Sequence, residues 1–529
     1  MEQNRLWVAI FLSLGLFFAY DYFVMRPYRQ HAALEIPTST VPALPSQPST
    51  PAADAPKLSD QVSAAQSGQP IVVETDLFRA TIDSLGGRLR GFELKRYSAT
   101  VEKDSPRLDL VQADGPTMLP LSVDVGGVGS DGGVQYAANK TTFSLSVDQT
   151  DSLILTGSLP NGTAIRKKFD FSGSSYTFDL SVELPGTVDA KAIAAVIVPL
   201  PTEKASAVAG TEKAIAFSAG KLVERQLTAM TSETTRLDGA LWAGFSNRYF
   251  VSLVVSEQDT KTVVMGPVSG TPVVSVGEST SDGVAKFKVL LGPKEPAVLR
   301  AAGSQLDRAL DFGWFWFIAI PLLSLLRLFH TAIGNYGIAI ILLTVLVKVA
   351  TIPLTRAQYR SMQKMQKIQP ELERLRQRQK EDPSAMQKDM MELYRKHGVN
   401  PFSGCVPMFL QIPIFVGLYN ALLNAIELRH APFMGWINDL SAPDYLVIAG
   451  VPIPVLVILM GASMLAQQWM TPMQGDPTQR RMMMFMPVIF TAMFLNFPSG
   501  LVLYWLVNNV ISVAQQYAVL GGAKQGAQA

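Results

Sequence analysis

The chain has 529 residues, too many for one compact domain, and its 45 Lys and Arg against 43 Asp and Glu leave a net charge of only +2. That balance excludes the global basic field that nucleic acid would need, so no specific nucleic-acid partner is expected. One cysteine, Cys405, excludes an intramolecular disulfide and a cysteine-based metal cluster.

Hydrophobic residues, 48% of the chain, concentrate at the N-terminus and after residue 312. Residues 6–20, "LWVAIFLSLGLFFAY", are uncharged and apolar, and no small-x-small cleavage site follows them, so 1–28 reads as a retained transmembrane signal anchor. Residues 29–70 form a Pro/Ala/Ser-rich linker, with seven prolines between 36 and 70, a composition suited to an extended tether.

From 71 to 311 the pattern changes to period two. "YTFDLSVEL" alternates Tyr176, Phe178, Leu180, Val182 and Leu184 with polar residues, and "FSLSV" repeats this with Phe143, Leu145 and Val147. Asn161-Gly162 between two strand-like runs predicts a hairpin, and further runs lie near 251–255 and 285–291. The expectation is an antiparallel β-sandwich.

Residues 312–330 are apolar with Pro321, Arg327 and His330, and spans are predicted at 334–353, 405–426, 446–466, 482–497 and 499–519. The segment 356–396 holds eleven Lys and Arg, which keeps it cytoplasmic. With the anchor starting inside, 29–311 lies outside and 312–330 lies in the interface as an amphipathic or re-entrant helix. The N-terminus and the 521–529 tail are then cytoplasmic. Within 356–400, Pro370 and Asp382-Pro383 predict two short antiparallel helices, the second with Met386, Met390 and Leu393 on one face. Arg360, Lys364, Arg374, Arg376 and Arg378 there are either a solvated face or a docking surface.

Lys348 stands inside an apolar run, where a lysine costs about 2.5–3.5 kcal/mol. Either it snorkels to the headgroups or it faces a hydrated cavity. Thr344, Lys348 and Thr351 fall at i, i+4, i+7; Tyr504, Asn508, Ser512 and Gln515 share a face of the last span, with Asn509 and Gln516 beside it; Gln411, Asn420 and Asn424 lie on a third span. Polar stripes on several helices favour the shared cavity over isolated groups facing lipid. Methionines 482, 483, 484, 486 and 493 are either core filling or an adaptable apolar surface.

Four stretches, "IPLTRAQYRSMQKMQKIQPEL", "HGVNPFSGCVPMFLQIPIFVGLYNAL", "ELRHAPFMGWINDLSAPD" and "MMMFMPVIFTAMFLNFPSGLVLYWLVNN", resemble the YidC membrane-protein insertases, which include mitochondrial oxidase-assembly and chloroplast Albino-type proteins. The anchor, linker and outer domain resemble the Gram-negative branch. The resemblance implies a polytopic α-helical membrane protein: an anchor plus a five-helix insertase core over 331–520, with a large periplasmic β-sandwich and a cytoplasmic helical hairpin. It also implies a cationic groove, open to cytoplasm and lipid, formed by Lys348, Thr344, Thr351, Gln411, Asn420, Tyr504, Trp505, Asn508 and Ser512. Lys348 stands where the family commonly has arginine, and Trp505 where a tyrosine is usual. Met408, Ile412, Phe415, Met486, Ile489, Phe490 and Met493 would form a lipid-facing slide for the substrate helix.

The implied partners are nascent membrane proteins, the Sec translocon (SecYEG with accessory SecDF), the ribosome and the lipid bilayer of the inner membrane. No cofactor, metal or enzymatic activity is expected. The outer domain resembles sugar mutarotases, but no histidine lies between residues 32 and 329 to serve acid–base chemistry. The alternative function is a secondary transporter with a periplasmic binding domain; no inverted repeat supports it.

Overall fold

The computed structural model describes residues 68–111, 118–185, 191–200, 212–256, 261–268, 270–280, 282–378, 383–397, 406–470 and 477–525. The anchor, most of the linker, Cys405 and the last four residues lie outside the described residues. The chain divides into two compact units, one ending at Leu310 and one beginning at Asp311.

The first unit is built from three sheets. Its nine-stranded sheet runs, in spatial order, through strands Lys221–Gln226, Lys213–Ser218, Ala240–Ser246, Phe250–Ser256, Val284–Pro293, Thr177–Glu183, Ala164–Ser172, Thr150–Ser158 and Ala137–Ala138. A five-stranded sheet contains Phe78–Asp83 and Arg88–Ser98, and a six-stranded sheet contains Lys261–Val268 and Thr271–Thr280. The architecture is therefore one long sheet facing two smaller ones, more elaborate than a two-sheet sandwich. It is also not wholly antiparallel, because Pro70–Thr75 pairs parallel with Thr142–Leu145.

Alternation decides what is buried. In Thr177–Glu183, Phe178, Leu180 and Val182 point inward. Phe78 and Phe92 of the five-stranded sheet stack at 4.4 Å, and Phe92 reaches Phe178 at 6.4 Å. Phe178 in turn lies 4.9 Å from Phe171, so aromatic rings form the seam between the two sheets. The Asn161-Gly162 hairpin forms as predicted, with Ser158 opposite Ala164 and Gly162 at φ 85°. Val147 departs from its predicted strand: the strand stops at Leu145 and Val147 is exposed.

In the Ala164–Ser172 strand one inward position carries a charge. Lys167 lies between the inward Ile165 and Phe169 of the Ala164–Ser172 strand, and neither Lys167 nor Asp131 has any side-chain exposure. The Lys167 ammonium donates to the carbonyls of Gly86 at 2.8 Å and Leu121 at 2.9 Å and pairs with Asp131. Asp131 also accepts from Tyr136 Oη at 3.0 Å and from the Val123 amide at 2.8 Å. Burial lowers the lysine pKa, opposed by Asp131, and burial beside that carboxylate raises the Tyr136 phenol. A short helix, α1 (Pro296–Ala302), closes the unit.

The second unit is helical: α2 (Trp316–Ile333), α3 (Tyr336–Ala350), α4 (Ile352–Arg378), α5 (Pro383–Lys396), α6 (Val406–Leu423), α7 (Val455–Met470), α8 (Pro477–Met493) and α9 (Ser499–Gln525). Among the described residues, α2 alone is both long and apolar enough to cross a membrane; α3, α7 and parts of α6 and α8 are apolar but shorter.

Three boundaries differ from expectation. Pro370 does not open a helix; α4 runs continuously through it. Pro370 is exposed, so the carbonyl that loses its helical partner can bond water instead. The apolar run predicted as a span from 446 is a β-hairpin, Leu446–Ile448 with Val451–Ile453, and helix begins only at Val455. The α3–α4 break at Thr351 reflects Pro353, which cannot donate to the carbonyl four residues back. In the helical hairpin, Ile368 and Leu372 of α4 are buried against Met390, Leu393 and Tyr394 of α5.

Candidate functional site

Two fixed helices place Lys348. At the start of α3, the Asn335 side chain accepts from the Ile338 amide at 3.1 Å and donates to the Phe433 carbonyl at 2.8 Å. This caps the helix and anchors it to the loop after α6. On the other side, α9 runs parallel to α7 and is tied to it by Asn509 Nδ2 to Ser463 Oγ at 3.2 Å and Gln516 Nε2 to the Met470 carbonyl at 2.8 Å. Asn509 and Gln516 therefore serve helix packing.

Between these supports, Lys348 Nζ donates to Ser512 Oγ at 2.7 Å, and Ser512 donates onward to the Asn508 carbonyl at 2.8 Å. The ammonium is thus turned across to α9. Lys348 is half-buried, and among the described residues no carboxylate forms an ion pair with it. Tyr504 is buried two turns before Ser512 on α9. Trp505 packs against Phe415 at 4.9 Å and Phe494 at 5.6 Å, and its buried indole N–H lacks a hydrogen-bond partner among the described residues.

Other predicted site residues separate from this cluster. Thr344 is buried and donates to Ile340 at 2.7 Å, and Thr351 donates to Val347 at 2.9 Å, so both hydroxyls bond back into α3. They are helix-internal, not free groove donors. Asn420 donates to the Phe312 carbonyl at 2.9 Å, tying α6 to the segment entering α2. It lies near Phe497 through Tyr419, which is 6.4 Å from that ring. Phe497 stands 15 residues before Ser512, roughly 20 Å along a helix axis, so Asn420 does not join Lys348. The Gln411 and Met408 side chains lie outside the described residues, as do those of Arg360, Arg376 and Arg378; Lys364 and Arg374 are exposed on α4.

The apolar surface is also redistributed. Phe415 is half-buried and packs against Trp505. Ile412, Ile489 and Met493 are exposed, and Met486 and Phe490 are half-buried. The sequence reading missed Phe485 and Val488, which are exposed on α8 beside Ile489. Their spacing of i, i+3, i+4 was the available signal. It also missed the pairing of Arg327 on α2 with Glu427, Nε to Oε1 at 2.6 Å.

The family model "60Kd inner membrane protein" matches residues 328–525, and the "YidC periplasmic domain" model matches 70–325. A membrane protein insertase YidC from Geobacter metallireducens is 37% identical over 533 residues, covering 98% of each chain. One from Nitratidesulfovibrio vulgaris is 38% identical over 544 residues, covering 98% of this chain and 99% of its own. A crystal structure of an active YidC insertase aligns over 86% of this chain at 19% identity with a TM-score of 0.37, too low to transfer geometry. Two-domain matching and full-length identity agree: the chain belongs to the membrane protein insertase YidC family of inner membrane proteins with a periplasmic domain.

Proposed function

We propose that this chain inserts nascent membrane proteins into the inner membrane, alone or beside the Sec translocon, by drawing their polar segments toward Lys348. The observation that carries this reading is the ammonium on Ser512 without a carboxylate counter-ion among the described residues. Such a charge attracts an acidic segment arriving from the ribosome's side. At about 6 Å the attraction is roughly 0.7–3 kcal/mol between watery and protein-like dielectrics, or about 3- to 100-fold in occupancy.

The substrate's apolar helix would leave along α8 and the exposed end of α6 into lipid. The helices α3 and α7 have 15 and 16 residues. At 1.5 Å per residue they reach about 22–24 Å, short of a typical ~30 Å hydrocarbon core, which lowers the barrier beside them. In this reading 29–311 is periplasmic, α2 lies at the outer interface, the α4–α5 hairpin offers a cytoplasmic docking surface for the ribosome, and both termini are cytoplasmic.

The test is reconstitution of Lys348→Arg, Lys348→Ala and Lys348→Glu variants with a substrate bearing an acidic translocated tail, read by protease protection. Arg should support insertion, Ala should weaken it within the range above, and Glu should be worst. Glu equal to the unmodified protein would overturn the proposal.

A further inference from the structure

The β-hairpin that replaces the predicted start of the fifth apolar segment is a built excursion. The chain leaves at Asp444 and returns at Leu456, where the Asp444 carboxylate accepts the Leu456 amide at 3.0 Å while also holding Trp436 Nε1 at 3.2 Å. The base is thus closed by one buried side chain that caps α7 from across the excursion. Tyr445 Oη reaches the Leu495 carbonyl at 3.3 Å beside it. The tip is a two-residue turn with Ala449 at φ 50° and Gly450 at φ 80°; the left-handed alanine is a strained choice that the fold retains.

Both faces of this ribbon are apolar. Leu446 lies opposite Ile453 and Ile448 opposite Val451 on one face, with Val447 opposite Pro452 on the other. Val447 is 65% exposed and Val451 59%. No charged residue occurs from Tyr445 to Met470, and the exposed apolar surface continues into α7 at Ile458 and Leu459. A ribbon of two strands leaves the outer backbone edge of each strand unpaired, which hydrocarbon does not tolerate. The depth that satisfies both the apolar side chains and the open edges is the boundary between headgroups and acyl chains.

We propose that residues 445–453 are a lipid-contacting hairpin seated in the bilayer interface at the N-terminal end of α7, fixing the depth of that helix. This rests on the reading that α7 lies in the membrane, and the experiment separates the two. In a Cys405→Ser background, single cysteines at Val447, Val451, Ile458 and the exposed Asn161 turn carry nitroxide labels in the full chain. The labelled proteins are reconstituted in phosphatidylethanolamine–phosphatidylglycerol vesicles. Collision rates with oxygen and with a water-soluble nickel chelate are compared by power saturation.

The expected result is an oxygen-to-nickel ratio at 447 and 451 severalfold above that at 161 and below that at 458. A ratio at 447 and 451 equal to that at 161, with 458 still oxygen-favoured, would overturn the hairpin proposal while leaving α7 in the membrane. A water-like ratio at 458 as well would overturn both. Protection of 447 and 451 from both reagents would mean that protein covers the hairpin, which also overturns lipid contact.

Discussion

Replacing Lys167 by Met tests how much the periplasmic unit depends on one buried charge pair. The substitution removes the ammonium that bonds the Gly86 and Leu121 carbonyls and leaves the unexposed Asp131 with the Tyr136 hydroxyl and the Val123 amide as hydrogen-bond partners and the charge of Arg88 nearby. Removing one member of a buried pair costs about 3–5 kcal/mol because the other charge stays desolvated. For a unit of this size each kcal/mol moves Tm by about 2–4 °C, so the transition should fall by roughly 6–20 °C. Scanning calorimetry of the full chain in detergent reads this directly. Lys167→Met combined with Asp131→Leu should recover part of the loss, because the orphaned carboxylate is gone while the buried Arg88 keeps Asp83 as its counter-charge. A loss below about 1 kcal/mol for the single variant, the value of an exposed pair, would refute the reasoning.

Three further predictions follow from geometry. The Lys95 hydrogen bond, then its charge, holds the Glu74 carboxyl below the usual range. Its small stabilisation is therefore present above the ordinary glutamate value and lost as pH falls below about 4. Lys95→Ala should raise the Glu74 titration midpoint in carbon-detected NMR, and an unmoved midpoint would contradict this. Gly337→Ala should destabilise the helical unit by about 1–3 kcal/mol, because the new Cβ would sit 2.0 Å from the Phe433 ring; loss of the monodisperse peak on heating before size exclusion measures it. Asp444→Ala should cost about 1–3 kcal/mol by orphaning the Trp436 and Leu456 donors. Asp444→Asn, which keeps an acceptor, should cost less in the same assay.

Local patterns were the legible part. Alternation in "YTFDLSVEL" and the Asn161-Gly162 turn led to the right strands because period and turn chemistry act over a few residues. Lys348 stood out for the same reason, as a charge within an apolar run. Ser512 already stood on the predicted polar face of the last span, but its direct bond to Lys348 was not legible, since the two lie 164 residues apart and no spacing rule reaches that far. Hydroxyl partners were not legible: a threonine on a polar stripe can bond its own helix, as Thr344 does, and period alone cannot tell which. The hairpin at 446–453 was hidden because apolar residues on both faces read like a span. Pro452 and Pro454 were the clue that helix could not start there.

The long interval between Lys348 and Ser512 has a consequence for the chain's own manufacture. At about 5–20 residues per second, the 164 residues that separate them take roughly 8–33 s to synthesise. Throughout that time the half-made protein holds a bare ammonium with its eventual hydroxyl still untranslated. The machine is its own difficult client, and whatever receives it during birth must shelter that charge until the final helix arrives.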